Sequence, residues 1–466
     1  MKIKKIHPYI YILLTFVSVI LVGTCLLLLP ISYSKDYIES TGVADYISNA
    51  FFMSSSAVCV TGLSVMPHGL FIDMTLFGKI VMYLLMQIGG LSIITIAVFF
   101  FTIIGGRIGI SNSFILRESL NQSSVTGLLD LVKRIVLLSI VIQVIGTLLN
   151  WYPIYEYTKF VDGKGDIFKA FMMSGFHSCA SFNNAGFDVF SSDSMVCFSS
   201  SEYMNYGLSF ASMLTINITT ILMIISGGIG IVVFQDIFET RFHWRKMKLH
   251  TKLTIITTAV LIVLGTLLLK LTCMDMNWLE ALFTSVSCRT AGFATHNIGT
   301  ITPAAAVVCM ILMLIGASPC SCGGGIKTTT IAIIILVIVH YAKGKKTKAF
   351  HRSISDSQIF KAFVLVNVAI ILCAIISGIV LVIQPELGID AAAFEVVSAF
   401  STTGLSRGIT TILNVPNKII LSVLMLFGRL GPLTIIGIVN KNWMTSSEES
   451  IQYVEESVII GWKRIL

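Results

Sequence analysis

The chain has 466 residues, 55% of them hydrophobic and only 12% charged, with a formal net charge of +8. Soluble domains carry about 25% charged residues, so this composition excludes an ordinary cytoplasmic enzyme, a disordered protein and a nucleic-acid binder. The basic residues cluster between apolar runs and so mark a membrane topology rather than a polyanion partner.

Lys2, Lys4 and Lys5 open the chain, and Tyr9 to Leu29 follows as an uncharged run stopped by Pro30. A bilayer core of about 30 Å needs about 20 helical residues, so this run predicts a span. It exceeds a signal-peptide core, and no small-residue cleavage site follows it cleanly. Ala44–Leu63 comes next, rich in Ser, Thr and Gly and too short to span. It predicts a re-entrant segment: a half-length helix that enters the membrane and returns as a loop. Leu76–Ile104 is the second span.

The same order then recurs. Leu128–Trp151, Phe168–Phe187 and Tyr203–Phe234 form one set; Leu249–Leu271, Leu279–Phe293 and Ala304–Tyr341 the next; Ala362–Val382, Ala391–Leu405 and Ile419–Val439 the last. The predicted fold is an all-α polytopic membrane protein of four pseudo-fourfold repeats, span–pore loop–span, around a central ion pore. The repeats are expected at 1–127, 128–248, 249–352 and 353–440, with a cytoplasmic tail at 441–466.

Each re-entrant segment ends alike: Val60-Thr61-Gly62-Leu63, Asn184-Ala185-Gly186-Phe187, Thr290-Ala291-Gly292-Phe293 and Thr402-Thr403-Gly404-Leu405. The period of roughly one hundred residues is too long for a solenoid and fits duplicated two-span units. Two spans begin and end on one side, so all four units insert the same way up, related by an axis along the membrane normal. The alternative reading, that small residues merely pack helices closely, suits one such segment better than four at matching positions.

Irregular backbone at membrane depth must be buried in protein or line a watery cavity. Four glycine loops around one axis offer rings of carbonyl oxygens able to replace the hydration shell of K⁺. No acid stands in the four residues before any of these glycines, which disfavours a divalent-selective pore. Each half-helix should point its negative C-terminal end at the cavity. Glu280 and Glu395 are expected near the starts of two of them, complementing the positive end.

Lys and Arg set the orientation. Arg107 and Arg117, the stretch Arg241–Lys252, the stretch Lys343–Lys361, the N-terminal lysines and Lys441 all fall on one side, expected to be cytoplasmic with both termini. The run Ala304–Tyr341 is too long for one straight helix, and Pro319 with Gly323, Gly324 and Gly325 should break it. Lys327 and Arg429 are charges at membrane depth and functional candidates by default; an ion pair that only locks helices is the alternative. Arg289, inside a filter segment, is expected to point away from the axis and brace its loop through hydrogen bonds. Gly325-Ile-Lys-Thr328 only approximates a phosphate-binding loop, and Cys320-Ser-Cys322 is a weak metal signal in an apolar setting.

Eight spans, four pore loops and one glycine per loop resemble the Trk/Ktr/HKT superfamily of potassium transporters. Asn183-Asn-Ala-Gly-Phe187, Arg289-Thr-Ala-Gly-Phe293, Thr403-Gly-Leu405 and Phe427-Gly-Arg-Leu-Gly-Pro432 are similar to its motifs. The N-terminus lacks the additional pair of spans of the TrkH branch, so the KtrB branch is the nearer likeness. The resemblance implies K⁺ uptake across the cell membrane, with no cofactor bound by this chain and Na⁺ as a candidate regulator. It implies a filter at Val60, Thr61, Gly62, Asn184, Ala185, Gly186, Thr290, Ala291, Gly292, Thr402, Thr403 and Gly404. It implies an intramembrane gating loop at 316–330, with Gly316, Ala317, Ser318, Gly323, Gly324, Gly325, Lys327 and, from the last span, Arg429. It also implies a homodimer standing on a cytoplasmic nucleotide-binding regulatory ring of the KtrA/TrkA kind.

Two rivals stay open on the residues alone. An ion-coupled secondary transporter of another small solute predicts inverted repeats and intramembrane acids; Asp130, near a boundary, is the nearest to such an acid. An intramembrane enzyme predicts a His/Glu or Ser/Lys pair at depth; His177 and Ser178 stand alone, with no His-Glu-x-x-His or nucleophile elbow.

Overall fold

The computed structural model describes residues 8–91, 128–190 and 194–431. The basic positions Lys2, Lys4, Lys5, Arg107, Arg117 and Lys441, and Pro432, lie outside these residues. So do the tail from residue 441 and the inner ends of the runs Leu76–Ile104 and Ile419–Val439.

The first repeat contains α1 (Pro8–Leu27), the half-helix α2 (Val43–Val58) and α3 (Leu76–Leu91). The second contains α4 (Leu128–Asp162), the half-helix α5 (Ile167–Phe182), α6 (Phe210–Ile229) and α7 (Ile231–Glu239). The third contains α8 (Leu249–Thr272), the half-helix α9 (Trp278–Ser287), α10 (Pro303–Leu314) and α11 (Thr328–Ala342). The fourth contains α12 (Asp356–Ile383), the half-helix α13 (Ile389–Ser401) and α14 (Val415–Leu430). A two-residue hairpin, β1 (Lys348–Ala349) with β2 (Arg352–Ser353), joins the last two repeats.

Among the described residues, five helices are long and apolar enough to cross a membrane: Ile10–Leu27, Val132–Asp162, Phe210–Ile229, Leu249–Thr272 and Asp356–Ile383. Their lipid-facing sides stay apolar; Leu21, Leu148, Val263 and Ile371 are all exposed. The chain is therefore a multi-pass membrane protein. The second helix of a repeat is less regular. The sixth predicted span stops at Leu314 and resumes at Thr328, as the Pro and Gly residues require. The fourth is also broken, at Gly230, whose φ of +92° no other residue adopts readily.

The packing closes a ring. Each half-helix packs on the span before it: α2 on α1, α5 on α4, α9 on α8 and α13 on α12. Each second helix packs on the next repeat's half-helix: α3 on α5, α6 on α9, α10 on α13, and finally α14 on α2. A buried Lys418 Nζ meets Asp45 Oδ1 at 2.8 Å across this last seam, joining the fourth repeat to the first. Glycines on the second helices α3, α6 and α14 also let each approach the half-helix of its own repeat closely. A Cβ at Gly89, Gly227 or Gly428 would overlap the carbonyl oxygen of Val58, Phe182 or Phe400, each at the inner end of a half-helix.

Two of the half-helices start on side-chain caps, the other two at Gly42 and Gly388. Asp166 accepts the Phe168 and Lys169 amides at 2.9 and 3.0 Å. Asn277 and Glu280 form a reciprocal capping box at α9, which puts Glu280 at the positive end as expected. Glu395 does not do this. It lies in the middle of α13, and Asp390 occupies that helix's first turn.

Candidate functional site

The four loops converge. An added Cβ at Gly62 would lie 2.6 Å from the Ala185 carbonyl oxygen, and one at Gly186 would lie 2.8 Å from that of Ala291. One at Gly292 would overlap the Thr403 oxygen, and one at Gly404 the Thr61 oxygen. The contacts run around the ring in chain order and return to the start. All four glycines have positive φ: 96°, 66°, 81° and 91°. Glycine is thus needed twice here, for the dihedral and for the space.

The residue two before each glycine also has positive φ: Val60 at 58°, Asn184 at 57°, Thr290 at 71° and Thr402 at 51°. Three of these are β-branched, for which that conformation is a true outlier. It costs about 1–2 kcal/mol per residue. The sequence offered no signal for this strain, since β-branched residues ordinarily mark extended backbone. The half-helices supply what holds it. Thr61, Ala185 and Thr403 amides donate back to Ser56, Ala180 and Ser398 carbonyls at 2.8, 2.7 and 2.9 Å. Ala291 N donates to Ser287 O at 2.9 Å. Ser56 Oγ accepts from Gly62 N and donates to Leu63 O; Ser398 Oγ accepts from Gly404 N.

The amides are therefore spent backwards. Among the described residues, no hydrogen bond reaches the carbonyls of Val60, Thr61, Gly62, Asn184, Ala185, Gly186, Thr290, Ala291, Gly292, Thr402, Thr403 or Gly404. These oxygens are the free polar groups of the ring, and the half-helix C-termini add negative potential behind them. Outside the ring lies a cavity of about 400 Å³ lined by the four glycines, Asp188, His296, Ser406, Arg407 and Thr410. Arg407 pairs with Asp390, and His296 lies 3.4 Å from Glu280.

Residues 315–327 form the break in the third repeat. Ser318 and Cys322 amides donate to the Gly228 and Gly227 carbonyls, both at 3.1 Å. Gly324 N donates to Thr402 Oγ1 at 3.1 Å, directly behind the fourth filter loop. Gly323 packs so closely on the Thr290 side chain that a Cβ would overlap its hydroxyl. Thr328 N donates to Ala317 O at 3.3 Å, and a Cβ at Gly316 would overlap the Gly324 carbonyl. The candidate gate residues Gly316, Ala317, Ser318, Gly323, Gly324 and Gly325 thus form one folded loop against the filter.

Two cations bind this loop. Lys327 Nζ donates to Gly323 O at 2.6 Å and faces Gly324 O. Arg429 donates through one guanidinium nitrogen to Cys322 O and through another to Gly89 O and Gly90 O. It therefore clamps the third repeat's loop to the first repeat's second helix from a seat in the fourth. Neither pairs with a carboxylate among the described residues, so the helix-locking ion pair is not what they form.

Arg289 points away from the axis, into a small pocket lined by Gly228, Ile229, Thr258 and Ile262. Its Nε finds no hydrogen-bond partner, so the expected bracing bonds from that atom are missing. His177 is buried beside the filter instead of acting as a nucleophile's base. Its ring packs edge-on against Phe293 at 5.1 Å and meets Thr220 Oγ1 at 2.9 Å.

Known proteins place this geometry. A family model described as TrkH, cation transport protein, matches residues 15–449. The Ktr system potassium uptake protein B of Vibrio alginolyticus is 33% identical over 99% of this chain and 96% of its own length. The protein of the same name from Bacillus subtilis is 32% identical over 96% and 95%. The potassium/sodium uptake protein NtpJ of Enterococcus hirae is 32% identical over 98% of both chains. In fold, the crystal structure of the potassium transporter TrkH from Vibrio parahaemolyticus covers 95% of this chain and 87% of its own, with a TM-score of 0.68 at 18% identity.

Proposed function

The chain belongs to the TrkH family of cation transport proteins, and from that premise we propose that it takes K⁺ into the cell as the ion-translocating subunit of a Ktr/Trk-type system. It is a transporter, not an enzyme. The observation that carries the reading is the closed ring of Gly62, Gly186, Gly292 and Gly404, with unoccupied carbonyls on every side. K⁺ leaves its hydration water in the outer cavity and exchanges it for these oxygens. An inside-negative potential supplies about 2.3 kcal/mol per 100 mV for each charge moved. No nucleotide hydrolysis by this chain is then required. An ion-coupled transporter of another solute has no use for such a ring.

The loop at 316–330 is the gate, and its folded form against Thr290 and Thr402 is the closed state. Lys327 and Arg429 place positive charge directly below the filter, where it repels an entering cation. Opening requires Arg429 to release Cys322 O and the loop to leave Thr290 and Thr402. The four repeats divide at 127, 248 and 352.

Relatives named as parts of a Ktr system support a partner subunit. A homodimer with a cytoplasmic nucleotide-binding ring fits the basic loops Arg241–Lys252 and Lys343–Arg352, with the tail 453–466 outside the described residues. Both termini are cytoplasmic on the Lys and Arg distribution. Rb⁺ uptake into cells lacking their own K⁺ transporters tests the reading. Correct insertion without uptake, alone and with the partner ring, would sink it.

A further inference from the structure

We propose that Arg289 heads a buried site for one small monovalent anion of the halide class, behind the third filter loop. Arg289 is 6% exposed, and it lines a pocket between α6 and α8, off the ion axis. Its Nε is buried without a hydrogen-bond partner. Among the described residues no carboxylate pairs with it. In the other repeats the residue three before the filter glycine is Cys59, Asn183 or Ser401, so the guanidinium is not part of the shared architecture. A guanidinium stays charged, and a charge held from water without a partner is costly. A counter-ion relieves it.

The pocket selects the class of counter-ion. It holds about 10 Å³, room for one water-sized occupant. Phosphate, sulfate and carboxylates are too large. The walls are mainly aliphatic, among them Ile224, Ile229, Ile262 and Val286, and Thr258 adds a buried hydroxyl with no partner. A water there would meet donors and leave the charge uncompensated, whereas one halide balances one guanidinium. Thr251, Thr254 and Thr258 share a face of α8 at helical spacing, and all three hydroxyls are buried and unpartnered. They mark a polar seam leading to Arg289 from the start of α8, where Lys248 and the positive helix end draw anions. Gly228 lines the same pocket, and its carbonyl accepts the Ser318 amide of the gating loop. The bound anion therefore touches both the filter loop and the wall that holds the gate. It also lowers the positive potential that Arg289 sets beside the K⁺ path.

The uptake arm of the test rests on the K⁺ reading above, so binding is read separately. Crystals of the full-length protein grown in bromide should show an anomalous peak within hydrogen-bonding reach of the Arg289 guanidinium. In solution, at fixed K⁺ and ionic strength, chloride replacing gluconate should raise the melting temperature of the wild type. The rise should vanish in Arg289→Gln and need several-fold more chloride in Thr258→Val. In proteoliposomes, chloride replacing gluconate should lower the Rb⁺ concentration for half-maximal uptake several-fold in the wild type and not in Arg289→Gln. A bromide-free pocket in the wild type, or a chloride response shared by the wild type and both variants, overturns the site. If Arg289→Gln does not fold, the bromide peak and Thr258→Val still decide. A bromide peak and a chloride-dependent melting shift, with no Rb⁺ uptake by any form, keep the site and remove the uptake reading.

Discussion

The filter ring and the gating loop are both irregular backbone inside the membrane, yet they handle their carbonyls in opposite ways. In the filter, amides are tied back to the half-helices and the oxygens are left open. In the gate, amides reach out to the Gly227 and Gly228 carbonyls and the Thr402 hydroxyl, and oxygens are covered by Lys327 and Arg429. The glycine loop occurs four times and, on the function proposed, offers its oxygens to passing cations. The loop occurs once and fills that place with cations of the protein's own. A tethered ammonium or guanidinium on a carbonyl is what a bound ion would be without the tether. The difference teaches that a selective surface and a barrier can be built from the same groups, according to whether the positive charge can leave.

Substitutions at four positions break or sharpen that contrast. Gly292→Ala should do the most, because it adds a Cβ into the Thr403 carbonyl at a φ of 81°. K⁺ over Na⁺ discrimination in liposome flux should fall by about tenfold or more, the equivalent of 1–2 kcal/mol of lost geometry. Retained selectivity would remove the filter assignment at that position. Next, Arg429→Ala should raise resting K⁺ flux, and Arg429→Lys should restore closure only in part. A point charge cannot fork between Cys322 O and Gly89 O as a guanidinium does. Equal closure by Lys and Arg would mean that charge alone matters and the clamp does not.

Lys327→Met should raise resting flux by less than Arg429→Ala does, since its bonds stay within one loop. The reverse order in the same assay would make Lys327 the principal barrier. The smallest effect is expected from Glu280→Gln, which keeps an oxygen for the Asn277 amide but removes the negative charge at the positive end of α9, about 0.3–1 kcal/mol. It should lower the melting temperature by a few degrees and leave selectivity alone. A selectivity change would show that the outer end of a half-helix also tunes the ring.

Much of this was legible in the amino-acid order, and for identifiable reasons. Half-helices announce themselves by length and character: too short to span, too apolar to pass as linkers. The filter glycines recur at matching places, so their convergence follows from repeat parity. The gate break follows from Pro319 and three adjacent glycines. What stayed hidden depends on tertiary contact. The strained Val60, Thr290 and Thr402 look like strand residues until a half-helix ties down the following amide. Gly89, Gly227 and Gly428 look like helix weakeners until the neighbouring carbonyl is seen. Glu395 falls near the start of a segment that the residues place at Ala391–Leu405, but α13 runs from Ile389 to Ser401 and leaves it in the interior. The bonds that Arg289 was expected to make could not be checked from spacing alone, because the pocket beside it is built by α6 and α8.

The seam between α14 and α2, pinned by Lys418 and Asp45, has a consequence for how the protein is made. Its two sides belong to the first and the last of the four repeats, so three quarters of the ring can enter the bilayer before the ring can close. A chain cut short by a stalled ribosome or a protease before residue 415 lacks the helix that closes the circle, and the cell's cation gradient is spared a leak from its own unfinished product.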